Sequence, residues 1–229
     1  MSRLPAAVLF DMDGLLVDTE RTWFAVETEV MAELGGPWGH EHQVALVGGA
    51  LPRSAQYMLD LSGRTDVRAQ DVAQQLLDGM VVHLRGGPVD WMPGAQRLLA
   101  EVGQAGLPRA LVSSSARVIV EAVLDAVGRE HFDVTVSGDD VSRTKPHPEP
   151  YLRAAELLGV DVRSCVALED SPPGANSARA AGCVTVVVPS VASVPDDIAH
   201  LQVRSLEELD LAVMAEVFGG ARLGPATRW

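Results

Sequence analysis

The stretch that decides the fold is Ala6-Ala7-Val8-Leu9-Phe10-Asp11-Met12-Asp13-Gly14, an apolar run that ends abruptly on two acids and a glycine. Hydrophobic at every position over Ala6–Phe10, the run predicts a strand buried on both faces, the habit of a parallel sheet covered by helices. Four runs of the same kind follow: Arg109–Val112, Val134–Val136, Cys165–Leu168 and Cys183–Val188. Helix-like segments separate them. Pro93–Ala105 begins near a proline and stops at Gly106, Ala116–Val127 stops at Gly128, and Glu149–Leu158 stops at Gly159, as proline-first, glycine-last helices do. Strand alternating with helix predicts an α/β fold with a doubly wound parallel sheet.

From Val17 to about Pro88 the alternation stops. No strand is evident there, and apolar residues recur at helical spacing in Trp23–Leu34, Ser54–Leu61 and Val72–Leu84, punctuated by Gly35, Gly36, Gly48, Gly49 and Gly63. The expectation is a helical insertion after the first strand, hinged after Leu16 and at Gly86-Gly87-Pro88. The chain then divides into a core of residues 1–17 and 89–218, an inserted cap of residues 18–88, and a C-terminal tail of residues 219–229.

The 229 residues are 47% hydrophobic and 21% charged, a globular balance with room for a full core. The net charge of −13 is spread along the chain with no basic run, which excludes nucleic acid and anionic membrane as expected partners. An anionic ligand would be repelled at long range, so any pocket for one must supply its own positive charge. The six apolar residues Pro5–Phe10 are too few for a signal-peptide core or a membrane span. Cys165 and Cys183, each in an apolar run, read as reduced, buried and inert, and the expected location is cytoplasmic.

Asp11 and Asp13 directly follow the first strand, where open α/β sheets bind their ligands. Two acids one residue apart can divide labour, one ionised as nucleophile or metal ligand and the other carrying a proton. Taken alone, Asp-x-Asp-Gly also describes a solvated turn. Ser113, Ser114 and Ser115 follow the second strand and open a helix, offering hydroxyls and free N–H groups to an anion, although an N-cap explains one serine as well. Of 18 basic residues, Lys145 is the only lysine; an otherwise arginine-only chain retains a compact point charge there, stiffened by Pro146 and Pro148. Glu169 and Asp170 end the fourth strand as hard oxygen ligands for magnesium, or as acids complementing a helix dipole.

With FDMDGLLVDTE (10–20), LVSSS (111–115), TKPHPEPY (144–151) and LEDSPPGANSARAAG (168–182) in this order, the sequence resembles the haloacid dehalogenase superfamily. The resemblance is to its phosphatase and β-phosphoglucomutase-like branch, which carries a helical cap after the first motif. It implies a Rossmann-like core and a magnesium-dependent phosphatase acting on a small phosphomonoester. Asp11 would become an aspartyl-phosphate, and Asp13 would protonate the leaving oxygen and then activate water. Ser113 and Lys145, with N–H groups near Met12 and Ser114, would hold the phosphoryl oxygens. Asp11, the Asp13 carbonyl and Asp170 would ligate Mg2+, with Glu169 in or beside that set. In the cap, Glu20, Trp23, His83 and Arg53 are candidates to touch substrate, Arg53 equally as an exposed helix arginine. The alternatives are a β-phosphoglucomutase-like sugar-phosphate mutase and, from another class, a non-catalytic phosphometabolite-binding regulator. The expected partner is a small phosphorylated metabolite, with the chain a monomer or weak homodimer.

Overall fold

The computed structural model describes residues 4–46 and 51–221. Six strands form one parallel sheet in the order β3-β2-β1-β4-β5-β6: β1 (Ala7–Phe10), β2 (Arg109–Val112), β3 (Val134–Val136), β4 (Cys165–Glu169), β5 (Val184–Val187) and β6 (Leu201–Gln202). β1 is central, and its neighbours β2 and β4 belong to the two windings of the sheet. Phe10 pairs with Leu111 on one side and Leu168 on the other. The crevice beyond the carboxyl end of β1 is therefore the topological switch point, where such sheets bind ligands.

Alternation along β1 explains why the sheet is covered on both faces. Val8 and Phe10 join a cluster with Leu98 and Leu99 of α5 (Ala95–Gln104) and Ile119, Val120 and Val123 of α6 (Arg117–Val127). Ala7 and Leu9 turn to the opposite face, against Tyr151, Ala154 and Ala155 of α7 (Glu149–Leu158) and Ala178 of α8 (Pro172–Ala181). Each large aliphatic or aromatic side chain buried in this way contributes roughly 1.5–3 kcal/mol. The final helix, α9 (Leu211–Gly220), also packs on the first face through Met214.

Four helices lie between β1 and α5: α1 (Glu20–Leu34), α2 (His40–Leu46), α3 (Leu51–Ser62) and α4 (Ala69–Gly86). Three of them share a core: Val26, Val30 and Met31 of α1, Met58 and Leu59 of α3, and Leu76 and Met80 of α4. The fold is thus a doubly wound, Rossmann-like α/β core with an inserted all-helical cap. The two chain segments that join the insertion to the sheet are hydrogen-bonded side by side, Met92 N–H to Leu16 O at 2.9 Å and Asp18 N–H to Asp90 O at 2.8 Å.

The sequence-based expectation missed α2 and β6, began α1 three residues late, and let the tail start at Gly219, which α9 carries through Gly220. α2 is seven residues of mostly polar sequence, too short to show a period. The expected glycine break at Gly48-Gly49 and tail residues 222–229 lie outside the described residues.

Candidate active site

The turn after β1 presents Asp11 and Asp13. Asp11 N–H bonds Leu168 O at 3.0 Å, while Leu16 N–H and Val17 N–H return to Met12 O at 3.0 and 3.2 Å. Gly14 has φ +77°, and a Cβ there would stand 2.4 Å from Asp170 Oδ2. Glycine therefore serves twice, permitting the left-handed backbone and the close approach of Asp170.

Three hydroxyls hold the Asp13 carboxylate: Thr19 Oγ1 donates to Oδ1 at 2.6 Å, and Ser113 and Ser115 Oγ donate to Oδ2 at 3.1 and 2.9 Å. Thr19 occupies the N-cap position of α1 without capping it, because its hydroxyl is spent on Asp13. Ser113 also accepts Ser115 N–H at 3.0 Å. Ser114 differs from its neighbours: its Oγ is buried without a partner, and the residue lines the cavity with Ser115 and Ala116.

Lys145 is buried, and its Nζ reaches Asp11 Oδ1 at 2.5 Å, Glu169 Oε1 at 2.6 Å and Val112 O at 2.9 Å. Burial opposes its charge, but the Asp11 and Glu169 carboxylates outweigh that and hold it protonated above the ordinary lysine range. Glu169 is fully buried; Tyr151 OH donates to its Oε1 and Asp170 N–H to its Oε2 at 3.3 Å. Asp170 accepts from Ser190 Oγ at 2.5 Å.

Asp11, Glu169 and Asp170 each bring one carboxylate oxygen to within 4.8 Å of the others. Burial pushes the Asp11 carboxyl up despite Lys145, and burial with the Glu169 charge pushes Asp170 up to about 8. Three buried acids with one lysine leave negative charge uncompensated, and hard oxygen donors in this arrangement fit a divalent cation. Asp11 and Asp170 line the cavity and Glu169 does not, so Glu169 stands behind the other two.

The roof comes from the inserted helices. Glu20, Trp23 and Glu27 project from one face of α1, joined by Gln43 and Leu46 of α2 and Leu51 and Ser54 of α3. Gln43 Nε2 donates to Glu20 O at 2.7 Å and to Glu20 Oε2 at 3.2 Å. Burial and the charges of Asp13 and Asp18 push the Glu20 carboxyl up to about 7. The other two cap candidates are elsewhere: Arg53 is exposed and donates to Ala45 O at 3.4 Å, and His83 lies 3.7 Å from Glu29. Among the described residues, Lys145 is the one basic side chain lining the cavity. Thr19, Tyr151, Ser190, Glu27 and Gln43 were not singled out from sequence; a serine after the fifth strand was the available signal.

The family of haloacid dehalogenase-like hydrolases matches residues 8–188. Hexitol phosphatase B of Escherichia coli (strain K12) is 32% identical over 208 residues, covering 89% of this chain and 93% of the relative. Protein CbbY of Rhodobacter capsulatus is 32% identical over 200 residues, covering 83% and 88%. Among solved structures, CbbY from Rhodobacter sphaeroides in complex with xylulose-(1,5)bisphosphate superposes with a TM-score of 0.77 at 29% identity over 90% of this chain and 96% of that one. β-Phosphoglucomutase from Clostridium difficile superposes at 0.83 with 23% identity, over 94% and 97%, which shows the shared fold.

Proposed function

This chain belongs to the haloacid dehalogenase-like hydrolase family, and from that premise we propose that it is a magnesium-dependent phosphatase, acting through Asp11 on small phosphomonoesters. The observation that carries the reading is the Asp11 carboxylate itself: it lies in the cavity wall, at the switch point of the sheet, between the Lys145 ammonium and the Asp170 carboxylate. Hexitol phosphatase B, similar over most of its length, supports a sugar- or polyol-phosphate substrate.

In the first step an Asp11 oxygen forms a bond to phosphorus as the bond to the substrate's leaving oxygen breaks, and Asp13 gives that oxygen its proton. In the second, Asp13 takes a proton from water, whose oxygen attacks phosphorus and releases Asp11 with inorganic phosphate. The hydroxyls of Thr19, Ser113 and Ser115 fix where the Asp13 carboxylate points. Lys145 holds Asp11 in place and sets positive charge beside the transferring group, together with the free Ser114 hydroxyl and main-chain N–H groups near Met12 and Ser114. Asp11, Asp170 and the Asp13 carbonyl, with Glu169 alongside, would hold Mg2+, which when bound neutralises charge on the phosphoryl oxygens.

The hydrogen-bonded pair of segments at Leu16–Asp18 and Asp90–Met92 supports a division into a core of residues 1–17 and 89–218 and a cap of residues 18–88. Two buried, unpaired cysteines suit a reducing compartment, and we assign the protein to the cytoplasm. No helix among the described residues is long and apolar enough to cross a membrane. Phosphate release from a panel of phosphorylated metabolites, with and without magnesium, tests the reading. Metal-dependent release from at least one polyol or sugar phosphate is expected, and no release from any ester would overturn it.

A further inference from the structure

The roof of the cavity contains an acid with a carboxyl oxygen left open. Glu27 follows Glu20 and Trp23 on the inner face of α1, and it is only 5% exposed, yet its Oε2 has no hydrogen-bond partner. The Trp38 indole N–H lies near enough to Glu27 to favour its charged form, although neither atom has a partner of ordinary hydrogen-bond geometry. Buried polar oxygens are nearly always satisfied, so an orphan lining a cavity marks a place for a ligand. Ser114 Oγ, across the cavity, is a second orphan.

We infer that Glu27 is a specificity-determining residue of this pocket, exchanging hydrogen bonds with a hydroxyl of the phosphate ester's organic group and so selecting polyhydroxylated, otherwise uncharged phosphomonoesters. The inference rests on the phosphatase reading above for the position of that organic group. Burial and the Glu20 charge push the Glu27 carboxyl up to about 8, so near neutral pH it both donates and accepts, as an alcohol does. Ser54 and Gln43 add neutral partners of the same two-sided kind. A second anionic group would meet Glu20 and Glu27 with no cation near it. An ammonium beside Glu27 would draw off its proton and pair with the carboxylate, so an amine ester is the competing occupant to be excluded.

The test compares kcat and KM, with magnesium, for a hexitol 6-phosphate, phenyl phosphate, aminoethyl phosphate and a sugar bisphosphate. The enzymes are wild type, Glu27→Met, Glu27→Gln and Glu29→Gln, the last an exposed acid on the same helix. Wild type is expected to prefer the hexitol phosphate over phenyl phosphate in kcat/KM. Glu27→Met should reduce that ratio at least tenfold, mainly through KM, while Glu27→Gln, which keeps a donor and an acceptor, restores most of it and Glu29→Gln leaves it unchanged. An unaltered ratio in Glu27→Met, equal slowing of both esters, Glu27→Gln as damaging as Glu27→Met, or a wild-type preference for the amine or the bisphosphate would each overturn the assignment. Calorimetric titration of Asp11→Asn and Asp11→Asn/Glu27→Met with the hexitol phosphate separates the two claims. If wild type hydrolyses nothing but Glu27→Met still weakens binding tenfold, the phosphatase reading falls and the role of Glu27 stands; equal binding by the two variants overturns that role.

Discussion

Lys145 Nζ and Glu169 Oε1 lie 2.6 Å apart with both side chains out of solvent, so the lysine that faces Asp11 is itself held from behind by a carboxylate. The third Nζ hydrogen goes to Val112 O, leaving no freedom for a longer or planar cation. Lys145→Arg is therefore expected to lower kcat by about 100-fold or more, since a guanidinium fork does not fit a three-way point contact. Lys145→Met should also cost about 3–5 kcal/mol of stability, by stranding buried charge on Asp11 and Glu169. Steady-state kinetics and denaturant unfolding check the two; an arginine variant with most of its activity would show that a point charge is not required.

Gly174 makes the same arrangement vulnerable from a position that never touches substrate. A Cβ there would stand 1.9 Å from Glu169 Oε2 and 2.1 Å from its Cδ, and the carboxylate cannot swing away without leaving Lys145 and Tyr151. Gly174→Ala is expected to destabilise the fold by about 1–3 kcal/mol and to lower kcat in the same variant. A melting curve and a turnover assay that both match wild type would show that Glu169 moves freely.

The carboxylates of the front wall should separate chemistry from folding. Asp11→Asn and Asp13→Asn are expected to lower turnover at least about a thousandfold each while leaving the melting temperature near that of wild type, because Asn fills the same volume and, at Asp11, removes buried negative charge. Asp170→Asn should instead move the magnesium concentration for half-activation upward by at least about tenfold. A magnesium titration that coincides with wild type would place the metal elsewhere.

Stability of the protein should fall as pH rises across the acid-to-neutral range. Burial first, then neighbouring carboxylates, raises Glu20 to about 7 and Glu27 to about 8, each from 4.5. A raised carboxyl binds its proton more tightly in the folded state, so the stabilisation is fully present below 4.5 and is lost as pH rises through the folded values. Glu27→Gln, which stays neutral, is expected to flatten the melting temperature between pH 5 and pH 8 relative to wild type. Parallel curves for the two proteins would mean that Glu27 is ionised throughout.

The sheet was legible because β1, β2, β4 and β5 are buried on both faces, which leaves continuous apolar runs; Asp11, Ser113 and Asp170 were legible because strand ends position them, and Lys145, well beyond β3, because it is the one lysine of the chain. Which side chains hold Asp13 was not legible: Thr19 reaches it from one element and Ser113 and Ser115 from another, and no local pattern marks a serine as facing an acid across the fold. Glu27 was hidden in the same way. On a helix with Glu20, Glu29 and Glu33, an acid reads as one more solvated residue until packing turns its face inward. Arg53 had two readings, a ligand contact or an exposed helix arginine, and its exposed place on α3 is the second.

The same roof decides between hydrolase and mutase. A sugar-phosphate mutase that works through a bisphosphate must hold a second phosphate at the far end of the cavity while the first is transferred, and that requires cations there. Here the far end carries the Glu20 and Glu27 carboxyls, and Lys145 is tied to Asp11 and Glu169 at the near end. Trp23 and Ala116 line the cavity, and Arg117 follows Ala116 at the start of α6. Of these only Arg117 is cationic, and its guanidinium is committed to Asp140, to Glu121 at 3.4 Å and to Thr135 Oγ1 at 2.8 Å. With no free basic side chain among the described residues of the cavity to retain a bisphosphate, water is the available acceptor for the aspartyl-phosphate on Asp11. Incubation with β-glucose 1-phosphate and a trace of glucose 1,6-bisphosphate is expected to give inorganic phosphate or no reaction. Catalytic accumulation of glucose 6-phosphate without matching phosphate release would reverse the assignment, and would require that the roof bind a phosphate without a basic side chain.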